Sequence, residues 1–420
     1  MTRSEEGVWQ LPINLNKKHC MHFTESEFAR RLNASETLAV TTLVAELRRQ
    51  GKTVIDLGAG EPDFETPPHI KAAGMRAIES GKTKYTPNVG TIALREAICR
   101  KLKNEYGAEY EPKQIVVANG AKQAIHNAVL ALCNPGEEVI VPSPYWVSYP
   151  EQVKMAEAVP RFLPGEETND FKIKPEDLAR QINSSTKLII LNNPSNPTGA
   201  VYSKKEIAAL LEVLRKQEVW ILADEIYIKL VYGNGATASL ASFPEIRERL
   251  ILVNGFSKAY AMTGWRLGYV AAPQPIASAI AKIQSHTTSN PCSISQEAGL
   301  AALEGSEEAL TAMRAQFEAR RDFVHTALNQ MPGVSARLPG GAFYIMCNVS
   351  QILGKKYQGK TISSPSTLCH MLIEHAGVAL VGGEAFGSTR HVRISYANAM
   401  ENLREAMTRL HAALEEIAAA

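Results

Sequence analysis

The sequence lacks the features that mark secreted, zinc-binding and membrane-spanning proteins. Its six cysteines lie far apart and include no CxxC pair, which argues against both a zinc site and a disulfide framework. A reduced, cytoplasmic setting is the simplest expectation. No stretch approaches the roughly 18 uninterrupted apolar residues that a membrane helix needs. Residues 1–20 contain early acidic residues and no apolar core, so we do not expect a secretory signal.

The chain also lacks an excess of charge of one sign. With 45 Lys and Arg against 43 Asp and Glu, its net charge is +2, which gives no indication of binding to nucleic acid or to a membrane surface. Apolar residues make up 45% and charged residues 21%, as expected of a globular protein with a large core. The length of 420 residues favours two to three domains. We expect residues 1–24 to be a loosely ordered extension.

Short apolar runs alternate with helical patterns from Val54 to Ala272. This alternation predicts an α/β fold with a mostly parallel sheet that is covered by helices on both faces. The predicted strands are 54–57, 114–118, 139–141, 187–191, 219–223, 250–253 and 391–397. The predicted helices are 25–50, 93–103, 119–132, 204–216 and 307–329.

One lysine lies just past the end of a predicted strand. Lys258 follows the apolar run 250–253, with Ser257 beside it and Arg266 eight residues on. Ligands of open α/β sheets collect at the carboxyl ends of the strands. A hydroxyl and a guanidinium suit a phosphate next to an amine that must become nucleophilic. Taken alone, the stretch also fits an ordinary surface lysine.

Two other predicted strands end in polar residues. Gly120, Ala121 and Lys122 begin a helix after strand 114–118, where unpaired N–H groups favour an anion, although many such junctions bind nothing. Asp224 ends strand 219–223, with Tyr227 three residues later. A buried, ionised carboxylate needs a cationic partner, and a protonated ring nitrogen would serve.

Several further residues have two interpretations at this stage. Asn196 lies in a constrained loop with two Asn-Pro steps, which favours a ligand contact over an ordinary turn. Trp146 follows a strand end, where it would either stack on a flat ligand or cap the core. Arg393 alternates with Val392 and Ile394, so it lies either on a solvated strand face or in a carboxylate clamp. Tyr85, taken alone, is more typical of a packing residue than of a ligand contact.

Together these motifs resemble the class I pyridoxal-phosphate aminotransferases of fold type I, most closely the bacterial aspartate aminotransferase branch, some of whose members also use prephenate. The resemblance covers residues 28 to 415, and its motifs occur in the family's order. They are 59–64 (AGEPDF), 84–85 (KY), 119–123 (NGAKQ), 144–146 (PYW), 193–199 (NPSNPTG), 224–227 (DEIY), 257–258 (SK) with 264–266 (GWR), and 393–396 (RISY).

The resemblance implies a large cofactor-binding domain over 62–305 and a smaller α+β domain built from both termini, 25–61 and 306–420. It implies pyridoxal phosphate as cofactor, bound covalently by Lys258. The other implied cofactor contacts are Asp224 at the ring nitrogen, Asn196 and Tyr227 at the phenolic oxygen, Trp146 on the ring face, and Gly120, Ala121, Lys122, Ser257 and Arg266 on the phosphate side. Tyr85 is implied to reach the phosphate of a neighbouring subunit in a homodimer with shared sites.

The implied substrate contacts are Arg393 for the α-carboxylate, helped by Gly60 and Asn196 beside Trp146, and Lys122 for a distal carboxylate. Thr37 is a further candidate, although the stretch 33–37 (NASET) departs from the family's usual entry sequence. We therefore expect a ping-pong transamination of aspartate with 2-oxoglutarate, extending to prephenate. No metal is expected.

Two other activities on the same fold remain open: a β-eliminating lyase, and an aminotransferase of aromatic or broad specificity. A ligand-sensing domain of a transcription regulator is disfavoured, because the about 25–30 residues before the fold show no helix-turn-helix pattern.

Overall fold

The computed structural model describes residues 24–233 and 237–419. The described residues fall into two units. Residues 24–33 form the first, which contains the short helix α1 (Glu27–Arg30) with Ser26 accepting a hydrogen bond from its first turn. Residues 34–419 form the second, which holds all the structure that follows. Most of the predicted extension, residues 1–23, lies outside the described residues. No helix in the described part of the chain is long and apolar enough to cross a membrane.

The remaining helices belong to the second unit and are listed in chain order: α2 (Glu36–Arg49), α3 (Pro68–Glu79), α4 (Ile92–Tyr106), α5 (Ala121–Leu132), α6 (Ser148–Met155), α7 (Pro175–Gln181), α8 (Lys204–Leu214), α9 (Gln274–Thr287), α10 (Ser293–Glu304), α11 (Glu308–Leu328), α12 (Pro365–Met371) and α13 (Met400–Ala419).

The strands follow in the same order: β1 (Ile55–Asp56), β2 (Ile115–Ala118), β3 (Glu138–Ser143), β4 (Val159–Pro164), β5 (Thr186–Asn192), β6 (Trp220–Asp224), β7 (Leu250–Gly255), β8 (Gly268–Ala271), β9 (Ser335–Ala336), β10 (Tyr344–Asn348), β11 (Lys356–Tyr357), β12 (Lys360–Thr361), β13 (Val378–Ala379), β14 (Val381–Gly382) and β15 (His391–Ser395).

Local sequence signals explain where several helices begin. Ser203 and Glu206 form a reciprocal capping box at the start of α8, which satisfies two N–H groups that the helix leaves unpaired. Pro68 and Pro365 occupy the first positions of α3 and α12, where the missing proline N–H costs no hydrogen bond.

A seven-stranded sheet in the order β2-β8-β7-β6-β5-β3-β4 forms the centre of the second unit. The neighbours from β4 to β7 pair in parallel, and β8 is antiparallel to both β7 and β2. The prediction of a mostly parallel sheet is confirmed. Because β5, β6 and β7 run the same way, their carboxyl ends meet at one edge.

Side chains alternate between the two faces of this sheet and contribute to two cores. In β7, Leu250 and Leu252 pack into one core, whereas Ile251 and Val253 pack into the other. Helices α5, α6 and α9 cover the second face, and α4, α8 and α10 are among those that cover the first. Burial on both faces explains why the strands appear in the sequence as continuous apolar runs.

A second, antiparallel sheet in the order β14-β15-β10-β9 lies in the C-terminal part of the chain. Residues near the N-terminus pack against the C-terminal part of the chain: β1 pairs in parallel with β13, and Val44 of α2 packs with Ile373 and Ala379. The α+β region built from both termini is thus confirmed.

Three details of the predicted secondary structure are wrong. The single helix expected over 25–50 is broken between α1 and α2, and Ser35 precedes the second helix in an extended conformation. Strand β1 belongs to the β1–β13 pair and not to the central sheet. Within the described residues, the connection from β6 to β7 contains the 3₁₀ turns Leu240–Ser242 and Pro244–Arg249, where the alternation of strands and helices predicts an α-helix.

Candidate active site

A cavity of about 400 Å³ lies at the carboxyl ends of β5, β6 and β7. Asn192 and Asp224, the last residues of β5 and β6, line it, as does Lys258, three residues beyond β7. Four cationic side chains line this cavity: Lys122, Lys258, Arg266 and Arg393. Among the described residues, its carboxylates are Glu61 and Asp224. The surplus of positive charge indicates a ligand with several negative groups.

Lys258 lies on the loop between β7 and β8, and its amine donates a hydrogen bond to the carbonyl oxygen of Gly60. The amine is 5.8 Å from the centre of the Tyr227 ring. Burial lowers the pKa of Lys258 to about 8, an effect that Glu61 opposes and Arg266 assists. A lysine that loses its proton near neutral pH is suited to nucleophilic and general-base chemistry.

Asp224 is a buried carboxylate, only 4% exposed. Its Oδ2 accepts a hydrogen bond from the Tyr149 hydroxyl at 2.6 Å, and its Oδ1 accepts one from the backbone N–H of Ile226 at 3.2 Å. Burial raises the pKa of Asp224 to about 6, against these two hydrogen bonds. Within the described part of the chain, no cation forms an ion pair with it. A cationic ligand group would therefore remove an electrostatic cost.

Arg393, at the centre of β15, is 2% exposed, so the solvated strand face is excluded. Its guanidinium donates to Oδ1 of Asn196 at 3.1 Å and to the carbonyl oxygen of Gly58 at 2.6 Å. It lies over the rings of Tyr344 and Phe386, at 4.6 and 4.8 Å from their centres. Its buried Nε has no hydrogen-bond partner among the described residues. The group is held in place with donor capacity left for an anion.

The start of α5 also lines the cavity, through Ala121 and Lys122. Gly120 caps the helix with φ +82° and without a side-chain hydrogen bond, so first-turn N–H groups stay available. A Cβ at Gly120 would lie 2.7 Å from Nη2 of Arg266, so a side chain at this position would displace the guanidinium. Lys122 lies with its amine 5.1 Å from the centre of the Trp146 ring.

The structure brings most of the predicted site residues together. The following line the cavity: Thr37, Gly60, Ala121, Lys122, Trp146, Asn196, Asp224, Tyr227, Ser257, Lys258, Arg266 and Arg393. Gly120 flanks it as the cap of α5. Tyr85 does not line it and is 92% exposed, so its contact with a neighbouring subunit stays a prediction.

The residues of this site that sequence reasoning missed include Tyr149, Tyr344 and Glu61. Tyr149 holds Asp224, and the hydroxyl of Tyr344 lies 2.9 Å from that of Tyr227. Glu61 lines the cavity next to Gly60. Tyr149 lies three residues after Trp146, Glu61 lies in the motif 59–64, and Tyr344 lies in none of the motifs. For Tyr149 and Glu61, the position in or beside a recognised motif was the available signal.

These observations fit pyridoxal phosphate. A buried carboxylate without a cation suits a protonated ring nitrogen, an uncapped helix start with Arg266 suits a phosphate, and Lys258 supplies an amine of lowered pKa. Fold and site together define a pyridoxal-phosphate enzyme of fold type I.

Comparison with known proteins identifies the family within this class of enzymes. The family model "Aminotransferase class I and II" matches residues 52–410. The chain is 47% identical over 390 residues to an aspartate/prephenate aminotransferase of Cereibacter sphaeroides, covering 92% of this chain and 98% of that one. It is 44% identical to an aspartate aminotransferase of Geobacillus stearothermophilus, covering 91% and 97%.

Solved structures give the same result. The crystal structure of the aspartate aminotransferase from Rhizobium meliloti superposes with a TM-score of 0.91 at 42% identity, covering 94% of this chain and all of that one. The aspartate aminotransferase from Thermus thermophilus with maleate gives 0.88 at 39% identity, covering 94% and 100%. The chain belongs to the class I and II aminotransferases, in the branch of bacterial aspartate and aspartate/prephenate enzymes. It is a pyridoxal-phosphate-dependent aminotransferase, which acts on amino acids and 2-oxo acids.

Proposed function

We propose that this enzyme transfers the amino group of aspartate to 2-oxoglutarate by a ping-pong mechanism, giving oxaloacetate and glutamate. The observation that carries the proposal is the pair Lys122 and Arg393 in one cavity. They come from α5 and β15, which belong to different parts of the fold. Two separately held cations suit a substrate with two carboxylates, and relatives named for aspartate share 42–47% of the sequence.

The geometry of the cavity supports the cofactor contacts that the family resemblance implies. Lys258 would hold pyridoxal phosphate covalently, with Asp224 at the ring nitrogen, Asn196 and Tyr227 at the phenolic oxygen, and Trp146 on a ring face. Gly120, Ala121, Lys122, Ser257 and Arg266 would surround the phosphate. When bound, the cofactor supplies an electron sink for the charge that develops at the substrate's α-carbon.

The protein's own side chains supply the other functions that the reaction needs. Tyr149 donates to Asp224 and orients its carboxylate, which would pair with a protonated ring nitrogen. Lys258, when its amine is free, would act as general base and acid at the α-carbon, because its lowered pKa of about 8 lies near neutral pH. Tyr344 orients Tyr227 through their paired hydroxyls.

Substrate contacts use a second set of side chains. Arg393 binds the α-carboxylate with donors that are already oriented by Asn196 and Gly58, and Gly60 and Trp146 complete this end. Lys122 binds the distal carboxylate. Thr37 on α2 lines the same cavity and provides a hydroxyl for that group or for the larger ring of prephenate.

We further propose that the enzyme is a homodimer with shared active sites. Four large apolar side chains between residues 75 and 92 are exposed: Met75, Ile78, Tyr85 and Ile92. Such exposure is typical of a protein interface. Tyr85 would then reach the phosphate site of the partner. We also propose domain boundaries at 61/62 and 305/306. The central sheet would then lie in one domain and the β14-β15-β10-β9 sheet in the other.

A half-reaction screen tests the substrate assignment. The absorbance of the bound cofactor would be followed as aspartate, glutamate, tyrosine, alanine and arogenate are added in turn. We expect aspartate and glutamate to convert the cofactor faster than tyrosine or alanine, and arogenate to react if prephenate is an acceptor. Equal rates with alanine would contradict the assignment, and pyruvate release from cystathionine would instead indicate the lyase.

A further inference from the structure

Tyr344 lines the active-site cavity and contacts residues that serve different parts of the site. Its hydroxyl oxygen lies 2.9 Å from that of Tyr227. The guanidinium of Arg393 lies over its ring, 4.6 Å from the ring centre. A Cβ at Gly60 would lie 3.0 Å from the same hydroxyl, so a side chain at that position would crowd it. Tyr344 is 1% exposed, and its hydroxyl is therefore held in one place.

The two tyrosine hydroxyls share one hydrogen bond, and its direction decides what the cavity offers to a ligand. Burial raises the pKa of both Tyr227 and Tyr344, so both hydroxyls keep their protons at neutral pH. Within the described part of the chain, neither has a second hydrogen-bond partner. If Tyr227 donated to Tyr344, the buried proton of Tyr344 would lack an acceptor there, which costs free energy. If Tyr344 donates, the proton of Tyr227 is available to a ligand atom in the cavity.

The charges beside the two rings favour the second arrangement. Arg393 lies over the ring of Tyr344, where a cation stabilises negative charge on the phenol and makes its hydroxyl a stronger donor. Arg393 opposes the effect of burial on the pKa of both tyrosines, whereas Asp224 adds to it at Tyr227. The positive charge thus favours Tyr344 as the donor, and the negative charge favours Tyr227 as the acceptor.

The other charged groups of the cavity do not reverse this preference. The amine of Lys258 lies 5.8 Å from the centre of the Tyr227 ring, but in the proposed function the covalent bond to the cofactor uses this amine. Glu61, Lys122 and Arg266 also line the cavity. Among the described residues they form no hydrogen bond and no cation–π contact with either tyrosine.

We propose that Tyr344 is a positioning residue for the cofactor: its hydroxyl donates to that of Tyr227, so that the proton of Tyr227 points to the phenolic oxygen of pyridoxal phosphate. The proposal deepens the proposed function and rests on it, since that function assigns Tyr227 to the phenolic oxygen. A hydroxyl that accepts one hydrogen bond becomes a stronger donor in the next. A donor to the phenolic oxygen stabilises negative charge there, so Tyr344 lowers the pH at which the bound cofactor takes up a proton.

The test follows the absorbance of the cofactor bound to the full-length enzyme against pH, without substrate. We expect the midpoint in Tyr344→Phe to lie about 0.3–0.5 pH unit above that of the wild type, because Tyr227 becomes a weaker donor. Tyr227→Phe removes the direct donor and should raise the midpoint by about 1 pH unit or more. Adding Tyr344→Phe to Tyr227→Phe should change nothing further, because Tyr344 acts through the hydroxyl that is already gone.

Tyr202→Phe is the matched control, since it removes a buried hydroxyl that accepts from the N–H of Ile173 at 2.9 Å, away from the residues that line the cavity. Its midpoint should equal that of the wild type. A wild-type midpoint in Tyr344→Phe, or the same shift from Tyr344→Phe with and without Tyr227→Phe, would overturn the proposal. Failure of the assigned cofactor contact would show separately, as a wild-type midpoint in Tyr227→Phe, and failure of the covalent attachment as wild-type protein in which borohydride fixes no cofactor to residue 258.

Discussion

Replacing Asp224 by asparagine should stabilise the cofactor-free protein near neutral pH and weaken its binding of pyridoxal phosphate. The carboxylate is buried, and its hydrogen bonds come from the neutral donors Tyr149 and Ile226. Asparagine has nearly the same shape and carries no charge. It keeps an acceptor for the N–H of Ile226, and its amide can donate to the hydroxyl of Tyr149.

The magnitude follows from the raised pKa of Asp224, about 6 in the folded chain against an ordinary value of 3.8. The folded state holds the proton more tightly, so stability falls as pH rises from 3.8 through 6 and is constant above that range. The loss is about 1.6 kcal/mol at pH 5 and about 3 kcal/mol at pH 7. Asparagine differs from the protonated carboxyl group in its hydrogen bonds to Tyr149 and Ile226, and this exchange costs about 1 kcal/mol at either pH. The Asp224→Asn variant should therefore gain about 2 kcal/mol at pH 7 and about 0.5 kcal/mol at pH 5.

Denaturant unfolding of both cofactor-free proteins, at one protein concentration and at pH 5, 6 and 7, measures this difference. A parallel series with excess pyridoxal phosphate should show a smaller stabilisation of the variant than of the wild type, because the charge that pairs with the ring nitrogen is gone. Lower stability of the variant at pH 7, or a difference that does not grow between pH 5 and pH 7, would refute the reasoning.

Three further predictions concern the substrate clamp, specificity and pH. Arg393→Lys should reduce kcat/KM for aspartate on the order of 100-fold, because lysine cannot make the forked contacts, and an unchanged value would contradict the clamp. Lys122→Gln should lower kcat/KM for aspartate by about 10-fold or more relative to alanine, as measured by competing the two donors. Burial lowers the pKa of His391, although Glu167 opposes this effect. The difference in unfolding free energy between wild type and His391→Gln, measured in urea, should therefore shrink as pH falls below about 6.5. A difference that stays constant with pH would contradict this prediction.

The central sheet and much of the cavity could be predicted from the sequence because parallel strands leave a regular signal. Runs such as 187–191 and 250–253 are largely apolar, since both faces are covered. Polar residues directly after such runs then lie at one edge of the sheet. This is why Asp224 and Lys258 could be assigned to one site from the sequence. The helix start at Gly120 carried its own local signal in the change from strand to small residues.

Contacts between distant segments left no such signal. Tyr344 contacts Tyr227 across 117 residues and Tyr149 contacts Asp224 across 75, and no local pattern in the sequence pairs either tyrosine with its partner. Strand alternation put Arg393 on the face opposite Val392 but did not show that this face is also buried. The break between α1 and α2 was missed because the apolar pattern near residue 38 supports a helix there without showing where that helix begins.

The site is made of groups that the folded chain leaves incompletely paired. Asp224 is buried without a cation, and Arg393 is buried with Nε unpaired among the described residues. Each such group costs stability. Elsewhere the same chain satisfies a buried polar side chain well: Gln296 accepts from the N–H of Thr91 and donates to Thr86 and to a backbone carbonyl. Other buried polar atoms outside the cavity, such as Nε of Arg95 and Oε2 of Glu225, are unpaired among the described residues. What distinguishes Asp224 and Arg393 is that they lie in one cavity and have the charges complementary to a cationic ring and a carboxylate. Binding those ligands offsets the stability that the burial of these two groups costs.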